Sequence, residues 1–386
     1  MIDSGAQLTW PAGKGLNVRT GNDASGEASG NEGVSYSALL LTAQMSQRNG
    51  KMKRTTPGET KLTICVWHPF GFWRPQPIMA ETIRTRWPEM NVLHLPNYDV
   101  LPTELPDTDI FVGYSLRADQ LQLARKLKWL HSTAAGVAQL AYPELRDSEI
   151  LVTNPRGVFS IPMAEHTMGM LISLARNFSD SVRYQDKATW GQQALWAKPQ
   201  QLTELNGKIL LIVGYGSIGK ELARRARAFD IRVWGVTRSG KGDASLVEKI
   251  VPASELGDAL PHTDYVVIAA PETPETKHLI GATEIARMKR GARLVNVGRG
   301  SLLDETALIA ALENGHLSGA ALDVTSMEPL PQNSPLWRAP NLFITPHTSA
   351  VSDRLWQRET ELLVDLLEKW FSGREMTNVV DLARGY

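Results

Sequence analysis

The chain has 386 residues, 42% of them hydrophobic, enough to enclose one large core or two. Its 41 basic and 41 acidic residues cancel, which argues against a nucleic-acid or anionic-membrane surface and leaves small solutes as the expected partners. The single cysteine, Cys65, excludes a disulfide framework and fits a reducing, cytoplasmic setting, and no apolar run is long enough to span a bilayer.

Residues 1–59, with the stretch "GNDASGEASGNEG", are rich in Gly, Ser and Asn and are predicted to form a disordered tail. Asp3, Asp23, Glu27 and Glu32 do not suit an organelle transit segment, and Met45 or Met52 are alternative initiators. At "KLTICVW" (61–67) a β-branched run predicts the first strand, followed by the turn-like "HPFGFWRPQP". Next come a helix near "ETIRTRW", strands at "NVLHL" and "DIFVGY", a helix at "ADQLQLARKL" and a strand at "KWLHST". Strands alternating with helices predict a parallel sheet covered on both faces. A long apolar helix from Met163 to about Tyr184 then precedes a second run of alternating units. The expected fold is therefore α/β with two doubly wound parallel-sheet domains.

The second run opens with "GKILLIVGYGSIGKELARRARAF". Ile209–Val213 reads as a buried strand, and Gly214, Gly216 and Gly219 form a G-x-G-x-x-G motif before a helix and a further strand at "IRVWGV". That context predicts a dinucleotide site: Gly214 for the tight turn, Gly216 for pyrophosphate approach, Gly219 for close packing. The free N–H groups opening the helix, at Ser217 and Ile218, face the phosphates. At the tip of the following strand, where an NAD site keeps an acid, stand Thr237, Arg238 and Ser239, with Lys241 beyond. A hydroxyl and a guanidinium suit a 2′-phosphate, so NADP(H) is the preferred cofactor, with NAD(H) possible.

Three later stretches, "LVNVGRGSLLDETAL", "AALDVTSMEPLPQNSPLW" and "NLFITPHTSA", resemble the D-isomer-specific 2-hydroxyacid dehydrogenases. The resemblance extends to "WLHSTAAGVAQL", "VTNPRGVFSIPMAEHTMGMLISLARN" and "NVVDLARGY", and so covers residues 60–386. It implies a Rossmann cofactor domain (161–346) inserted into a flavodoxin-like substrate-binding domain (60–160 and 347–386). It further implies closure at two chain crossings and a homodimer formed through the long helix.

Reduction of a 2-keto acid needs a proton donor and a cation to hold the substrate carboxylate and polarise the carbonyl. His347, after the strand "NLFIT", carries the side-chain type that most readily passes a proton either way and is the expected acid/base. Glu328 matches the family glutamate that bonds and orients that imidazole, favouring its charged form. Arg299, in "NVGRG", offers a fork of donors to the substrate. The resemblance also assigns substrate-facing N–H groups to Ala135 and Gly136, and cofactor contacts to Pro271, Thr276, Val297, Gly298 and Asp323. Two departures stand out: Ala138-Gln139 where Asp-His is frequent, and Glu272 where an apolar residue is usual.

Glu165 and His166, adjacent on an apolar helix, point about 100° apart and are expected to serve packing or interdomain contact rather than catalysis. His68, His94, His131, His262, His278 and His316 show no acidic partner at a telling spacing, and no metal site is expected. Arg238 and the closing "GY" resemble the glyoxylate/hydroxypyruvate reductases of the family. The aromatic loop "HPFGFW" instead suits larger substrates such as phenylpyruvate. A 3-phosphoglycerate oxidase is less expected because the chain stops after the terminal helix. Formate oxidation needs no partner like Glu328 for the histidine. A co-repressor-like nicotinamide-binding module is the alternative from a different class.

Overall fold

The computed structural model describes residues 55–197 and 202–384. The expected tail up to residue 54, with Met45 and Met52, lies outside the described residues, as do Gly385 and Tyr386. Within that expected tail, residues 55–59 are structured after all. Pro57–Glu59 form a 3-10 turn, and Glu59 Oε2 accepts from Thr56 N and Oγ1 at 3.3 and 2.9 Å. A proline preset for the turn and a reciprocal cap give these residues hydrogen bonds the composition does not reveal.

Five strands form the first sheet: β1 (Lys61–Cys65), β2 (Asn91–His94), β3 (Ile110–Gly113), β4 (Trp129–Ser132) and β5 (Leu151–Thr153), ordered β2-β1-β3-β4-β5, all parallel. The second holds β6 (Ile209–Val213), β7 (Arg232–Thr237), β8 (Lys249–Pro252), β9 (Tyr265–Ile268), β10 (Arg293–Asn296), β11 (Gly319–Leu322) and β12 (Leu342–Ile344). Its order, β12-β11-β10-β9-β6-β7-β8, places β7 and β8 to one side of β6 and β9 to β12 to the other. The two orders are those of flavodoxin-like and dinucleotide-binding sheets, as expected, with a switch point beside β6 in the second.

Side-chain alternation explains why both sheets are covered twice. Leu62, Ile64, Ile110 and Val112 enter one cluster while Cys65, Phe111 and Leu130 enter another; Leu211 and Val213 diverge from Leu210 and Ile212 in the same way. Each fully buried large side chain contributes roughly 1.5–3 kcal/mol, so these faces dominate the stability. Helix α1 (Pro77–Arg86) covers the first sheet with Met79, Ala80 and Ile83. After β5 the chain passes through Asn154–Phe159 into α2 (Ser160–Arg176), which packs with α3 (Ser217–Ala226) on the second sheet. After β12 it returns through 345–354 to α5 (Leu355–Ser372), while α4 (Glu305–Glu313) lies between. Leu355, Leu363, Leu366 and Trp370 of α5 are buried against the first sheet, with Leu362 half-buried beside them, and Trp370 stacks on Trp129 at 5.6 Å.

Two expected helices differ. The long one breaks at Asn177, whose φ of 53° is left-handed and whose N–H caps α2 on Ser173 O; a separate helix follows at Phe178–Asp186. Asparagine adopts this conformation more cheaply than other chiral residues, so the apolar pattern continues while the helix does not. The helix expected over 118–127 ends at Leu121 and continues as three-residue turns, Ala124 N to Leu121 O at 3.0 Å and Leu127 N to Ala124 O at 3.3 Å. Leu121, Ala124 and Leu127 recur every third residue, a period that the tighter path aligns on one core face.

Candidate active site

The three glycines after β6 each answer a different steric demand. Gly214 has φ +98°, and a Cβ there would lie 2.5 Å from Ala270 N, so neither the turn nor the space admits a side chain. At Gly219 a Cβ would meet Gly214 O at 2.8 Å and Ile212 Cγ2 at 3.1 Å, because α3 lies directly on β6. Gly216, the residue before α3, is the opposite case: a Cβ there would meet no atom within 4 Å. The result is an open cradle at a helix N-terminus whose first N–H groups, at Ser217 and Ile218, have no acceptor within the helix.

At the tip of β7, Arg238, Ser239 and Lys241 are exposed and Thr237 is half-buried. The Thr237 hydroxyl donates to Lys241 O at 3.1 Å, closing the turn on itself. Its hydrogen is thereby used, and the cationic donors left for an anion are the Arg238 and Lys241 side chains. Across the gap, the loop after β9 is folded by Thr276, whose Oγ1 contacts Pro271 O at 2.9 Å and Thr273 O at 3.1 Å. A hydrogen bond from Thr273 and, more weakly, the charge of Arg238 hold the Glu275 carboxyl below its ordinary range. The β7 tip and the 271–276 loop are therefore electrostatic neighbours. Glu272 Oε1 accepts from Ser301 Oγ at 2.7 Å, tying this loop to the turn that carries Arg299.

The turn after β10 is built from inside. Gly298 N donates to Asn296 Oδ1 at 3.0 Å, Asn296 Nδ2 donates to Arg299 O at 2.9 Å, and Val297 and Gly298 are buried. A Cβ on Gly300 would lie 2.0 Å from Thr325 C, so the Arg299 turn rests directly on the segment that leads to Glu328. Arg299 is half-buried, gives Nη1 to Gly298 O at 2.7 Å, and carries Nη2 where a Cβ on Gly136 would be 3.0 Å away. The guanidinium thus faces the loop after β4. In that loop Ala134 N is taken by Ser132 Oγ and Ala135 O by Asn154 Nδ2, whereas Ala135 N and Gly136 N donate to no acceptor among the described residues.

His347 and Glu328, 19 residues apart, meet at 2.6 Å between Nδ1 and Oε2. Glu328 Oε1 accepts from Thr325 N at 3.0 Å, so the carboxylate is held at both oxygens. This leaves Nε2 of His347 with no partner among the described residues and the ring 45% exposed. The histidine backbone sits at φ +51°, a left-handed conformation unusual for a bulky residue and common where a site demands a particular side-chain direction.

Asp323 imposes that conformation. Its enclosed carboxylate accepts from Thr345 Oγ1 at 2.6 Å, Thr348 N at 2.9 Å and Ser349 N at 3.0 Å, gripping the loop on both sides of His347. Burial alone pushes this carboxyl up, but the hydroxyls of Ser349 and Thr345 and the two backbone N–H groups outweigh it and hold the group below the usual carboxylate range. A depressed folded pKa stabilises the fold above the unfolded value, about 3.9, and that contribution is lost as pH falls through the folded one. Unfolding midpoints of the native chain are expected to drop across that acid range. Asp323→Asn is expected to start about 1–3 kcal/mol lower at neutral pH and to depend less on acid.

Glu165 and His166 do not pair with each other. Glu165 bridges to Arg225 of α3 at 3.0 Å, and His166 Nε2 contacts Thr345 Oγ1 at 3.0 Å, so both join elements as expected. Two features lay beyond local pattern. The loop anchors Thr345, Thr348 and Ser349 were signalled only by a carboxylate placed in the apolar run "ALDV". His131, expected to lack an acidic partner, meets Glu359 at 3.1 Å across 228 residues, a contact that no sequence spacing encodes. Among the described residues no group of three or more His, Cys, Asp and Glu forms a candidate metal site. No described helix is long and apolar enough to cross a membrane.

Comparison with known proteins adds independent findings. The family model described as D-isomer specific 2-hydroxyacid dehydrogenase, NAD binding domain, matches residues 168–349. The chain is 32% identical over 292 residues to a glyoxylate reductase of Korarchaeum cryptofilum, covering 74% of this chain and 86% of that one. It is 30% identical over 282 residues to a D-3-phosphoglycerate dehydrogenase of Methanocaldococcus jannaschii, 72% of this chain and 53% of that one, and so spans about half of that relative's length. Among solved structures it is similar to an NADPH-dependent glyoxylate/hydroxypyruvate reductase from Sinorhizobium meliloti in complex with NADP and sulfate. That similarity has 25% identity and a TM-score of 0.70, over 85% of this chain and 100% of the other.

Proposed function

The chain belongs to the D-isomer-specific 2-hydroxyacid dehydrogenases, NAD(P)-dependent oxidoreductases, and on that premise we propose that it reduces glyoxylate and hydroxypyruvate with NADPH. The observation that carries the reaction is the His347–Glu328 pair, with Nδ1 fixed at 2.6 Å and Nε2 left for a substrate. In this reading Ala135 and Gly136 offer N–H groups to the substrate carboxylate, and Arg299 holds that carboxylate and polarises the ketone oxygen. His347 Nε2 gives its proton to the same oxygen, and Glu328 keeps the ring oriented and stabilises its charged form. In the reverse direction the imidazole takes the proton back.

The residues fit a dinucleotide. The open space at Gly216, before the free N–H groups of α3, suits a pyrophosphate, and Gly214 and Gly219 shape that turn. Arg238, Ser239 and Lys241 would hold a 2′-phosphate beside Thr237. Pro271, Thr276, Val297 and Gly298 would line the nicotinamide side, and Asp323 would lie beside its carboxamide. When bound, the reduced nicotinamide supplies the hydride. Residues 60–160 and 347–386 form the substrate-binding part and 161–346 the nucleotide-binding part in this account, with closure expelling water. Buried, unpaired Cys65 supports a cytoplasmic setting. Exposed Phe178, Val182 and Trp190 (88%), just past α2, support a homodimer through this region, which light scattering would test.

Arg238→Ala is expected to lower kcat/KM for NADPH roughly 10- to 100-fold and to change NADH little, read by steady-state kinetics with both cofactors. Equal losses for both would remove the 2′-phosphate assignment. A second substrate reading draws on Trp67 and Phe70, 44% and 70% exposed after β1, which favour larger keto acids such as phenylpyruvate. Assaying NADPH oxidation with glyoxylate, hydroxypyruvate and phenylpyruvate decides between the substrates. Binding of NADPH with turnover of none of them would favour a nicotinamide-responsive binding protein.

A further inference from the structure

Outside the cleft, one buried polar chain joins both segments by which the backbone crosses between the sheets. His131, in β4, is fully enclosed, with Nδ1 2.8 Å from Thr153 Oγ1 and Nε2 3.1 Å from Glu359 Oε1. Trp129 Nε1 donates to the same Thr153 hydroxyl at 2.8 Å. An indole can only donate, so Thr153 Oγ1 accepts from Trp129. An ionised carboxylate can only accept, so Nε2 of His131 carries the hydrogen that meets Glu359 Oε1.

The placement of the chain is what gives it a role. Thr153 ends β5, immediately before the first crossing, and Asn378 fastens that crossing by donating to Asn154 O and Arg156 O at 2.9 and 2.8 Å. Glu359 lies in the first turns of α5, just past the second crossing, which begins at the loop of His347. His131 sits one residue before the end of β4, whose continuation carries Gly136 to Arg299. One imidazole therefore ties the roots of both crossings to the strand that bears the substrate loop.

Stability alone does not account for the choice of residues. A buried carboxylate–imidazole pair must be desolvated, and Glu359 Oε2 is buried with no hydrogen-bond partner among the described residues. An apolar pair would fill the space without that cost but would lack the directional hydrogen bonds that relate α5 to β4. We propose that His131 and Glu359 are positioning residues for the keto-acid reduction, fixing the register of α5 on β4 and hence the placement of the 133–136 loop relative to Arg299 and His347. This rests on the reductase reading above.

The test uses the full-length protein and measures kcat per NADPH-binding site, KM for the keto acid, NADPH affinity and melting temperature. Glu359→Leu is expected to leave NADPH affinity unchanged and melting temperature equal or higher, while kcat per site falls roughly 10- to 100-fold and KM rises. Glu359→Gln, which keeps an acceptor for Nε2–H, is expected to retain most activity. If Glu359→Leu does not fold, His131→Asn, which reaches Thr153 but not Glu359, must show the same loss. Native kcat and KM in the folded variants, or losses matched by the loss of NADPH-binding sites, overturn the proposal alone. A native chain that reduces no 2-keto acid overturns the reductase reading, and this proposal with it.

Discussion

Replacing His347 by Asn is expected to lower kcat for keto-acid reduction by about 10²–10⁴-fold while NADPH affinity and melting temperature stay near native. Asparagine is the informative choice because position 347 sits at φ +51°. Alanine there would add backbone strain to the lost imidazole, whereas asparagine tolerates the left-handed region and isolates the proton-transfer loss. The ring is half-exposed and, among the described residues, its side chain bonds only to Glu328, so removing it opens no cavity in either core. An Asn variant that keeps more than about a tenth of native turnover would place proton transfer elsewhere.

Arg299→Gln is expected to reduce kcat/KM roughly 10³-fold, through both a higher KM and a lower kcat. Among the described residues the guanidinium's one bond is to its neighbour Gly298 O, and its other face looks onto Gly136. The fold therefore loses little, whereas a substrate loses the cation for its carboxylate and the donor for its developing oxyanion. Arg299→Lys is expected to recover only part of the activity, because an ammonium cannot reproduce two parallel N–H bonds from a planar fork. Full recovery by lysine would mean that charge alone matters and that the fork geometry is irrelevant.

The parts of this architecture legible in the sequence were those with local steric or periodic causes. Gly214 and Gly219 can be read because a turn and a helix contact each exclude a Cβ, and both constraints appear in the structure, whereas a Cβ on Gly216 would meet no atom within 4 Å. Strands such as β1, β3 and β6 can be read because each is a short apolar run with β-branched residues. The end of α2 could not, since Asn177 permits a left-handed residue without requiring one and the apolar pattern runs on past it. Nor could the direction of the Thr237 hydroxyl, which depends on how the 237–241 turn closes. Asp323 was legible as important but not for what it does to the 345–349 loop. The His131–Glu359 contact joins residues whose neighbours share no pattern, and only the packing of α5 on the first sheet brings them together.

The most direct test of the central claim, that His347 and Glu328 act as one unit on the substrate oxygen, is a double-variant cycle. It compares kcat/KM for the preferred keto acid in the native chain, in His347→Asn, in Glu328→Gln and in the combined variant. If the carboxylate works through the imidazole, the combined variant will match His347→Asn within about twofold. Losses that multiply would show that the two side chains act independently and would contradict the account.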